Sequence, residues 1–149
     1  MKIKRILLPT DLSTASISAF KYAKSLAEKY GASIYVLHVL ENIPPVLAIH
    51  ALDLTIEKVE RNMEENAKAQ LEKIVKENLK TKNKVQIFIR KGLVDEEIIK
   101  FADEKKVDLI VMGTHGRTGI EYTLLGSIAE KIVRKAKCPV LTVKPEKQS

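Results

Sequence analysis

The residues best suited to ligand chemistry lie in one segment, MGTHGRTGIEYTLLGS, from Met112 to Ser127. Glycines stand at positions 113, 116, 119 and 126, which is four of the six glycines in the chain. A glycine lets the backbone turn sharply or approach a bound group without a side chain in the way. Backbone N–H groups and the Ser127 hydroxyl at a helix N-terminus could then hold an anion. The segment predicts a phosphate cradle, and the alternative is a glycine-rich turn between a strand and a helix.

The spacing of these glycines differs from the two commonest nucleotide-binding motifs. The chain has no G-x-G-x-x-G after its first predicted strand and no G-x-x-x-x-G-K-[ST]. Two residues separate Gly113 from Gly116, nine separate Gly116 from Gly126, and Ser127 follows directly. The resulting pattern is G-x2-G-x9-G-[ST].

A second polar segment, PTDLS from Pro9 to Ser13, follows the first predicted strand. Asp11 could bind a ligand, or it could cap the helix that comes next. Ser13 competes for the capping role. If Ser13 is the cap, we expect Asp11 to be available to a ligand.

The hydrophobic pattern predicts five strands separated by helices. The strand-like runs are rich in Val, Ile and Leu, and three of them are nearly continuous, as in strands covered on both faces. They are IKRILLP from Ile3, SIYVLHVL from Ser33, VQIFIR from Val85, VDLIVMG from Val107 and PVLTVK from Pro139. Helical periodicity predicts four helices, namely one from Ser13 to Tyr30 ending at Gly31, a long one from Ile56 to Leu79, one over Val94–Glu104, and one over Leu124–Ala136 with Ile128, Ile132 and Val133 inward.

This alternation requires long crossovers between strands, so it predicts an α/β doubly wound domain with a mostly parallel sheet and helices on both faces. In such sheets, ligands bind beyond the carboxyl ends of the strands, where the strand order reverses. The two polar segments meet at that point if the order is 3-2-1-4-5.

The composition predicts one soluble globular domain spanning residues 1–149, with 45% hydrophobic and 30% charged residues. No apolar run approaches the roughly 18 residues of a membrane span, and no signal-peptide pattern is evident, so we expect a cytoplasmic protein without membrane association. The net charge of +7 is spread over helix faces and alternates with Glu, which favours a solvated surface over a nucleic-acid-binding face. We expect the single Cys138 to be a small buried side chain at the start of the last strand.

The sequence resembles the universal stress proteins, and specifically their ATP-binding branch. The resemblance covers nearly the whole chain, through ILLPTDLS, VLHVLE, DLIVMGTHGRTG and LLGSIAEKIVRKAKCPVLTVK, and G-x2-G-x9-G-[ST] is the signature of that branch. It implies a single domain with a five-stranded parallel sheet of order 3-2-1-4-5. It also implies that ATP binds, with ADP or AMP as alternatives, and with Mg²⁺ or Mn²⁺ held mainly by the phosphates.

By this resemblance, one group of residues surrounds the nucleoside. Asp11, with Pro9 and Thr10, would contact the adenosine. Val39 would meet the adenine, and Gly113 would lie near the ribose.

A second group would surround the phosphates. The resemblance assigns Gly116, Gly126 and Ser127 to the phosphate groups, and places Met112 and Ile128 next to the pocket. In some relatives a hydroxyl residue stands at the position of Ala129 and can assist the phosphates.

Two further residues of the glycine segment carry chemistry of their own. Arg117 could reach a phosphate through charge-assisted hydrogen bonds, or it could be a solvated loop residue. His115 could act as a base, but no paired carboxylate is evident in the sequence, which favours a solvent-facing or loop-bracing histidine.

Three functions compete on this basis. The leading hypothesis is a nucleotide-dependent regulatory or stress-response module, in which bound ATP changes a surface that an unidentified protein partner reads. The alternative is a slow ATPase or phosphotransferase using Asp11, His115 and a divalent cation. The third is a scaffold whose pocket stays empty.

Two more features concern association and access. The fifth strand is apolar and would lie at a sheet edge, so it predicts a homodimer, as the resemblance also implies. The segment ENIPPVLAIHALD from Glu41 to Asp53 fits neither period, which indicates a loop that is either a lid or a packing excursion.

Overall fold

The strands and helices alternate along the chain in the predicted sequence. The computed structural model describes residues 1–42, 56–115 and 125–146. Within these residues the strands are β1 (Arg5–Pro9), β2 (Ser33–Leu40), β3 (Val85–Lys91), β4 (Leu109–Gly113) and β5 (Val140–Val143). The helices are α1 (Thr14–Ile17), α2 (Phe20–Tyr30), α3 (Ile56–Asn78), α4 (Val94–Glu104) and α5 (Ser127–Lys135).

The sheet is parallel throughout and has the order β3-β2-β1-β4-β5. This confirms the predicted fold class and strand order. In the register between β1 and β4, Ile6 lies opposite Leu109 and Leu7 lies opposite Ile110. The segments that follow β1 and β4 therefore leave adjacent strands at the same edge of the sheet, where the strand order reverses.

Helices cover both faces of the sheet, and each face has its own hydrophobic core. On one face, Phe20 of α2 and Leu71 of α3 are fully buried against β1 and β2. On the other face, Phe101 of α4 and Ile132 of α5 are fully buried among residues that include Leu7 and Leu37. Burial on both faces explains why the strands read as continuous apolar runs.

The first predicted helix is interrupted, contrary to the expectation of one helix from Ser13 to Tyr30. The Ser18 hydroxyl donates a hydrogen bond to the Ala15 carbonyl at 2.6 Å, and the Ala19 N–H bonds to the Ser16 carbonyl at 3.2 Å. Serine hydroxyls compete with backbone N–H groups for helical carbonyls, so this serine-rich stretch divides α1 from α2. The predicted end is confirmed, because Gly31 caps α2 in the left-handed conformation with φ of 66°.

Some predicted inward positions are wrong. Val133 of α5 is 45% exposed, because Ala129 and Ile132 form the buried side of that short helix. In α3, whose apolar residues recur at helical spacing from Ile56 onward, Ile56 and Met63 are exposed and the buried residues are Ala67 and Leu71. Residues 43–53 of the predicted loop and Leu124 lie outside the described residues. The predicted start of the last helix near Leu124 is wrong, since Gly126 is the N-cap and the helix begins at Ser127. Among the helices that the structure describes, none has the length and hydropathy needed to cross a membrane.

Candidate functional site

The turn after β1 is held by side-chain hydroxyls. The Thr10 and Ser16 hydroxyl oxygens lie 2.7 Å apart, and the Leu12 N–H donates to Thr10 Oγ1 at 3.1 Å. Leu12 has a φ of 69°, a left-handed conformation that non-glycine residues seldom adopt. Thr10 and Ser16 are both buried, so this network fixes the path of the backbone at the sheet edge.

Ser13 is the N-cap of α1, as predicted, and its Oγ accepts a hydrogen bond from the Ser16 N–H at 3.2 Å. The same residue also binds Asp11, whose role in binding a ligand stays a prediction. The Ser13 N–H donates to Asp11 Oδ1 at 3.0 Å, and the Ser13 hydroxyl donates to the same oxygen. The Ser13 hydroxyl is both a donor and an acceptor, so Ser13 can cap the helix and bind Asp11 at the same time. The Asp11 carboxylate is thus fixed in place, half-buried, at the end of β1.

The turn after β4 is held by Thr114, which sequence reasoning did not select. Its N–H continues the sheet by donating to the Val143 carbonyl at 2.9 Å. Its hydroxyl lies 2.9 Å from His115 Nδ1, which supports the loop-bracing interpretation of that histidine. Its carbonyl accepts a hydrogen bond from the Gly126 N–H at 2.6 Å. Thr114 therefore connects β4, β5 and the start of α5.

Two of the signature glycines are required by the protein's own backbone. A Cβ atom on Gly113 would lie 3.2 Å from the Ala15 carbonyl oxygen, and one on Gly126 would lie 2.9 Å from the Thr114 carbonyl oxygen. Both distances are shorter than ordinary contacts, so a side chain at either position would displace backbone. The turn interpretation explains these two glycines without a ligand, and evidence for a binding site must come from the surrounding geometry.

The N-terminus of α5 faces the same edge of the sheet. Gly126 is its N-cap residue and supplies no side chain to bond the first N–H groups. Ser127, the first residue of the helix, places a hydroxyl beside those groups. A helix N-terminus carries partial positive charge and backbone donors, which suits an anionic group such as a phosphate.

These elements surround a cavity of about 780 Å³. This volume falls within the roughly 300 to 1,000 Å³ that is typical of small-molecule sites. Nine of the eleven predicted site residues line it, and they are Pro9, Thr10, Asp11, Val39, Met112, Gly113, Gly126, Ser127 and Ile128. Gly116 and Arg117, the other two, lie outside the described residues.

The cavity wall has an apolar part and a polar part. Val39, Ile98 and Met112 belong to one of the two cores and line the cavity as well. The polar residues Thr10, Asp11 and Ser16 line it from the β1 turn. Apolar walls with a few placed polar groups are typical of ligand sites, because the apolar part supplies affinity and the polar part fixes orientation.

The cavity also has contributors that the sequence did not reveal. His38 lines it from β2, and Asn66 and Gln70 line it from α3. The periodicity of α3 indicates its buried stripe, but it cannot show which polar residues of the helix lie beside the sheet edge. Among the described residues, no lysine or arginine lines the cavity, and no group of three or more His, Cys, Asp or Glu could hold a metal ion.

Comparison with known proteins identifies the family. The model of the universal stress protein family matches residues 2–144. The chain belongs to the universal stress protein family. Universal stress protein MJ0531 of Methanocaldococcus jannaschii is 37% identical over 145 residues, which cover 97% of this chain and 84% of that protein.

Solved structures of this family have the same fold. The structure of protein MJ0577 from the same organism has 32% identity and a TM-score of 0.85, covering 99% of this chain and 100% of that one. A universal stress protein from Archaeoglobus fulgidus, solved in complex with dAMP, has 21% identity and a TM-score of 0.63, covering 97% of this chain and 98% of that one. At that identity, the second likeness supports the fold alone.

Proposed function

We propose that this universal stress protein binds an adenine nucleotide, with ATP foremost and ADP or AMP as alternatives, and that it acts as a nucleotide-dependent regulatory or stress-response module. The observation that carries the proposal is that the predicted site residues come together in space. These residues come from four separate parts of the sequence, namely the ends of β1, β2 and β4 and the start of α5. They line one cavity at the point where the strand order reverses.

The chemistry of the wall suits the parts of such a ligand. The apolar surface at Val39 and Met112 is matched to a flat base, and the held carboxylate of Asp11 is matched to ribose hydroxyls. The α5 N-terminus with Ser127 is matched to phosphates. In the proposal, Gly116 and Arg117 complete the phosphate end. The dAMP complex of the Archaeoglobus fulgidus relative lends support, because it places an adenine nucleotide on the same fold.

A divalent cation, Mg²⁺ or Mn²⁺, would enter with the phosphates. Mg²⁺ is commonly held by substrate phosphates with one or two carboxylates rather than by an all-protein cage. Because the proposal assigns Asp11 of the β1 turn to the ribose, the phosphates themselves would be the main ligands of the cation. We further propose that the protein is cytoplasmic and that a partner protein reads its nucleotide state.

The test begins with protein that has been unfolded, freed of nucleotide and refolded. Thermal unfolding is then followed with ATP and Mg²⁺, ATP alone, and Mg²⁺ alone. A ligand at about 100 times its dissociation constant adds about 2.7 kcal/mol to the free energy of unfolding, so the melting temperature should rise clearly. Mass analysis of nucleotide released from freshly purified protein should give an adenine nucleotide. No rise with millimolar ATP and no released nucleotide would contradict the proposal.

A further inference from the structure

His38 of β2 lies beside the turn after β1, a position that its sequence context did not reveal. It lies near the carboxyl end of β2, between Leu37 and Val39, and only 6% of its surface is exposed. Its Nδ1 atom is 2.9 Å from the carbonyl oxygen of Thr10 in the turn after β1. A carbonyl oxygen can only accept a hydrogen bond, so Nδ1 must carry the proton in the neutral ring.

The second ring nitrogen then has a defined role. With the proton on Nδ1, Nε2 of the neutral ring is a hydrogen-bond acceptor. Within the described residues, Thr10 is the hydrogen-bond partner of the ring, and it bonds to Nδ1. Every side-chain nitrogen or oxygen in this part of the chain that is fully shielded from solvent has a hydrogen-bond partner, so an unbonded Nε2 cannot be fully shielded. Nε2 is therefore accessible, and the accessible space beside His38 is the cavity.

We propose that His38 determines ligand specificity by accepting, through Nε2, a hydrogen bond from an N–H or O–H group on the nucleoside half of the ligand. This inference rests on the proposed nucleotide function. Side chains alternate along a strand, so the ring of His38 lies on the opposite face of β2 from Val39, but both residues line the cavity. The α5 N-terminus, which suits phosphate, follows β4 on the other side of β1. The uncharged half of the nucleotide is thus the half within reach of His38.

The donor can come from two places on that half, the exocyclic amine of adenine or a ribose hydroxyl. Both present a hydrogen atom to an acceptor of fixed position. A ligand that lacks the donor leaves a largely buried acceptor unpaired, so it should bind more weakly by about the net value of one hydrogen bond.

Two substitutions separate the two nitrogens of the ring. In His38→Asn, the side-chain amide reaches the position of Nδ1 and can still donate to Thr10, but nothing occupies the position of Nε2. In His38→Gln, the longer side chain reaches the position of Nε2 with an amide that can accept, and the bond to Thr10 is lost. His38→Asn therefore keeps the hydrogen bond to Thr10 and removes the acceptor that would contact the ligand. His38→Gln keeps that acceptor and removes the hydrogen bond to Thr10.

The experiment measures dissociation constants of the wild type and both variants for ATP, 2′-deoxy-ATP, 3′-deoxy-ATP and purine riboside triphosphate, which lacks the amine. In the wild type, one analogue should bind about fivefold to tenfold more weakly than ATP, as expected from one net hydrogen bond. In His38→Asn that penalty should disappear, and in His38→Gln it should remain. The analogue that shows the penalty identifies the donor as amine or hydroxyl.

The outcomes distinguish a failure of this inference from a failure of the proposed function. If ATP binds and the analogue penalties are the same in the wild type and His38→Asn, His38 only braces the Thr10 turn and the inference is wrong. In that case thermal unfolding should still show a loss of stability in His38→Gln. If the wild type binds none of the four nucleotides, the proposed function itself fails.

Discussion

The backbone N–H of Gly126 donates a hydrogen bond to the carbonyl oxygen of Thr114 at 2.6 Å. This bond joins the residue after β4 to the N-cap of α5, so both ends of the glycine segment are fixed by the protein itself. The α5 N-terminus is therefore positioned before any ligand arrives. Preorganisation of this kind reduces the ordering cost of binding.

We expect Gly126→Val to destabilise the protein in the absence of nucleotide. A Cβ atom there would lie 2.9 Å from the Thr114 oxygen, and the backbone would have to move. Overpacking of this kind typically costs about 1 to 3 kcal/mol. Urea unfolding of nucleotide-free protein measures the change. A variant that is as stable as the wild type would show that the Thr114 contact yields easily, and it would leave Gly126 as a purely ligand-directed glycine.

Unlike Gly126→Val, the substitution Ser127→Ala should weaken the binding of ATP without lowering the stability of the nucleotide-free protein. It removes a hydroxyl at the α5 N-terminus and leaves the backbone donors intact. Hydrogen bonds to charged groups contribute about 1.5 to 3 kcal/mol, so affinity should fall about tenfold or more. Calorimetric titration with ATP and Mg²⁺ measures this. Ser25→Ala, the same change at an exposed position of α2, is the control and should bind as the wild type does.

Many of the strands and helices could be predicted from the sequence because hydrophobic periodicity is a local signal. Continuous apolar runs predict buried parallel strands, and the resemblance supplied the strand order. The glycine segment indicated a helix N-terminus near Ser127, but hydrophobic periodicity placed the start of the helix too early, at Leu124. Other features depend on which segments meet in space. The contact between Thr114 and Gly126 spans residues that are far apart along the chain, and Asn66 lies at the cavity only because α3 packs beside β2.

The homodimer prediction can be tested at one backbone position of β5, which lies at the sheet edge. Pro139 and Val143 accept hydrogen bonds from β4, so the alternation of a strand directs the backbone groups of Thr142 away from the sheet. Thr142→Pro removes an outward N–H that pairing with a second copy would use. It should give monomers in sedimentation experiments, while Thr142→Val should remain dimeric.

A charged residue at Val143 of β5, as in Val143→Lys, would be a poor test of the dimer. Val143 is only 6% exposed and belongs to the core on one face of the sheet, so lysine there would damage the monomer. A wild-type protein that sediments as a monomer at micromolar concentration would end the dimer hypothesis.

Cys138 gives a prediction about pH. Burial raises the pKa of the Cys138 thiol above its ordinary value of 9.0, and the nearby carboxylates of Asp103 and Asp108 raise it further, although backbone hydrogen bonds lower it. A pKa that is higher in the folded state favours folding below 9.0, and this contribution is lost as the pH rises through the folded value. The wild type should therefore lose more stability than Cys138→Ala between about pH 8 and about pH 10, across the range where thiols ionise. Equal losses in the two proteins would contradict the prediction.

Finally, we expect ATP hydrolysis, if it occurs, to be too slow to be the function. Fast phosphoryl transfer needs a positioned acceptor, an orienting base, and groups that neutralise charge developing on the phosphoryl oxygens. The backbone donors of the α5 N-terminus hold ground-state phosphates as well as transition-state phosphates, which favours binding over turnover. Asp11 is held by Ser13 at the end of β1, and the proposal places it at the nucleoside.

His115 is the remaining candidate base within the described residues of the glycine segment. Its Nδ1 atom is engaged with the Thr114 hydroxyl, which fits a bracing role. Product analysis with ATP and Mg²⁺ should therefore give a turnover below about 1 s⁻¹, the lower end for ordinary kinases. His115→Ala should leave this slow rate within a few-fold of the wild type. A faster turnover that disappears in His115→Ala would overturn the regulatory proposal and favour the ATPase or phosphotransferase, because only a group acting in the transition state would lower the rate so strongly without a matching loss of ATP affinity.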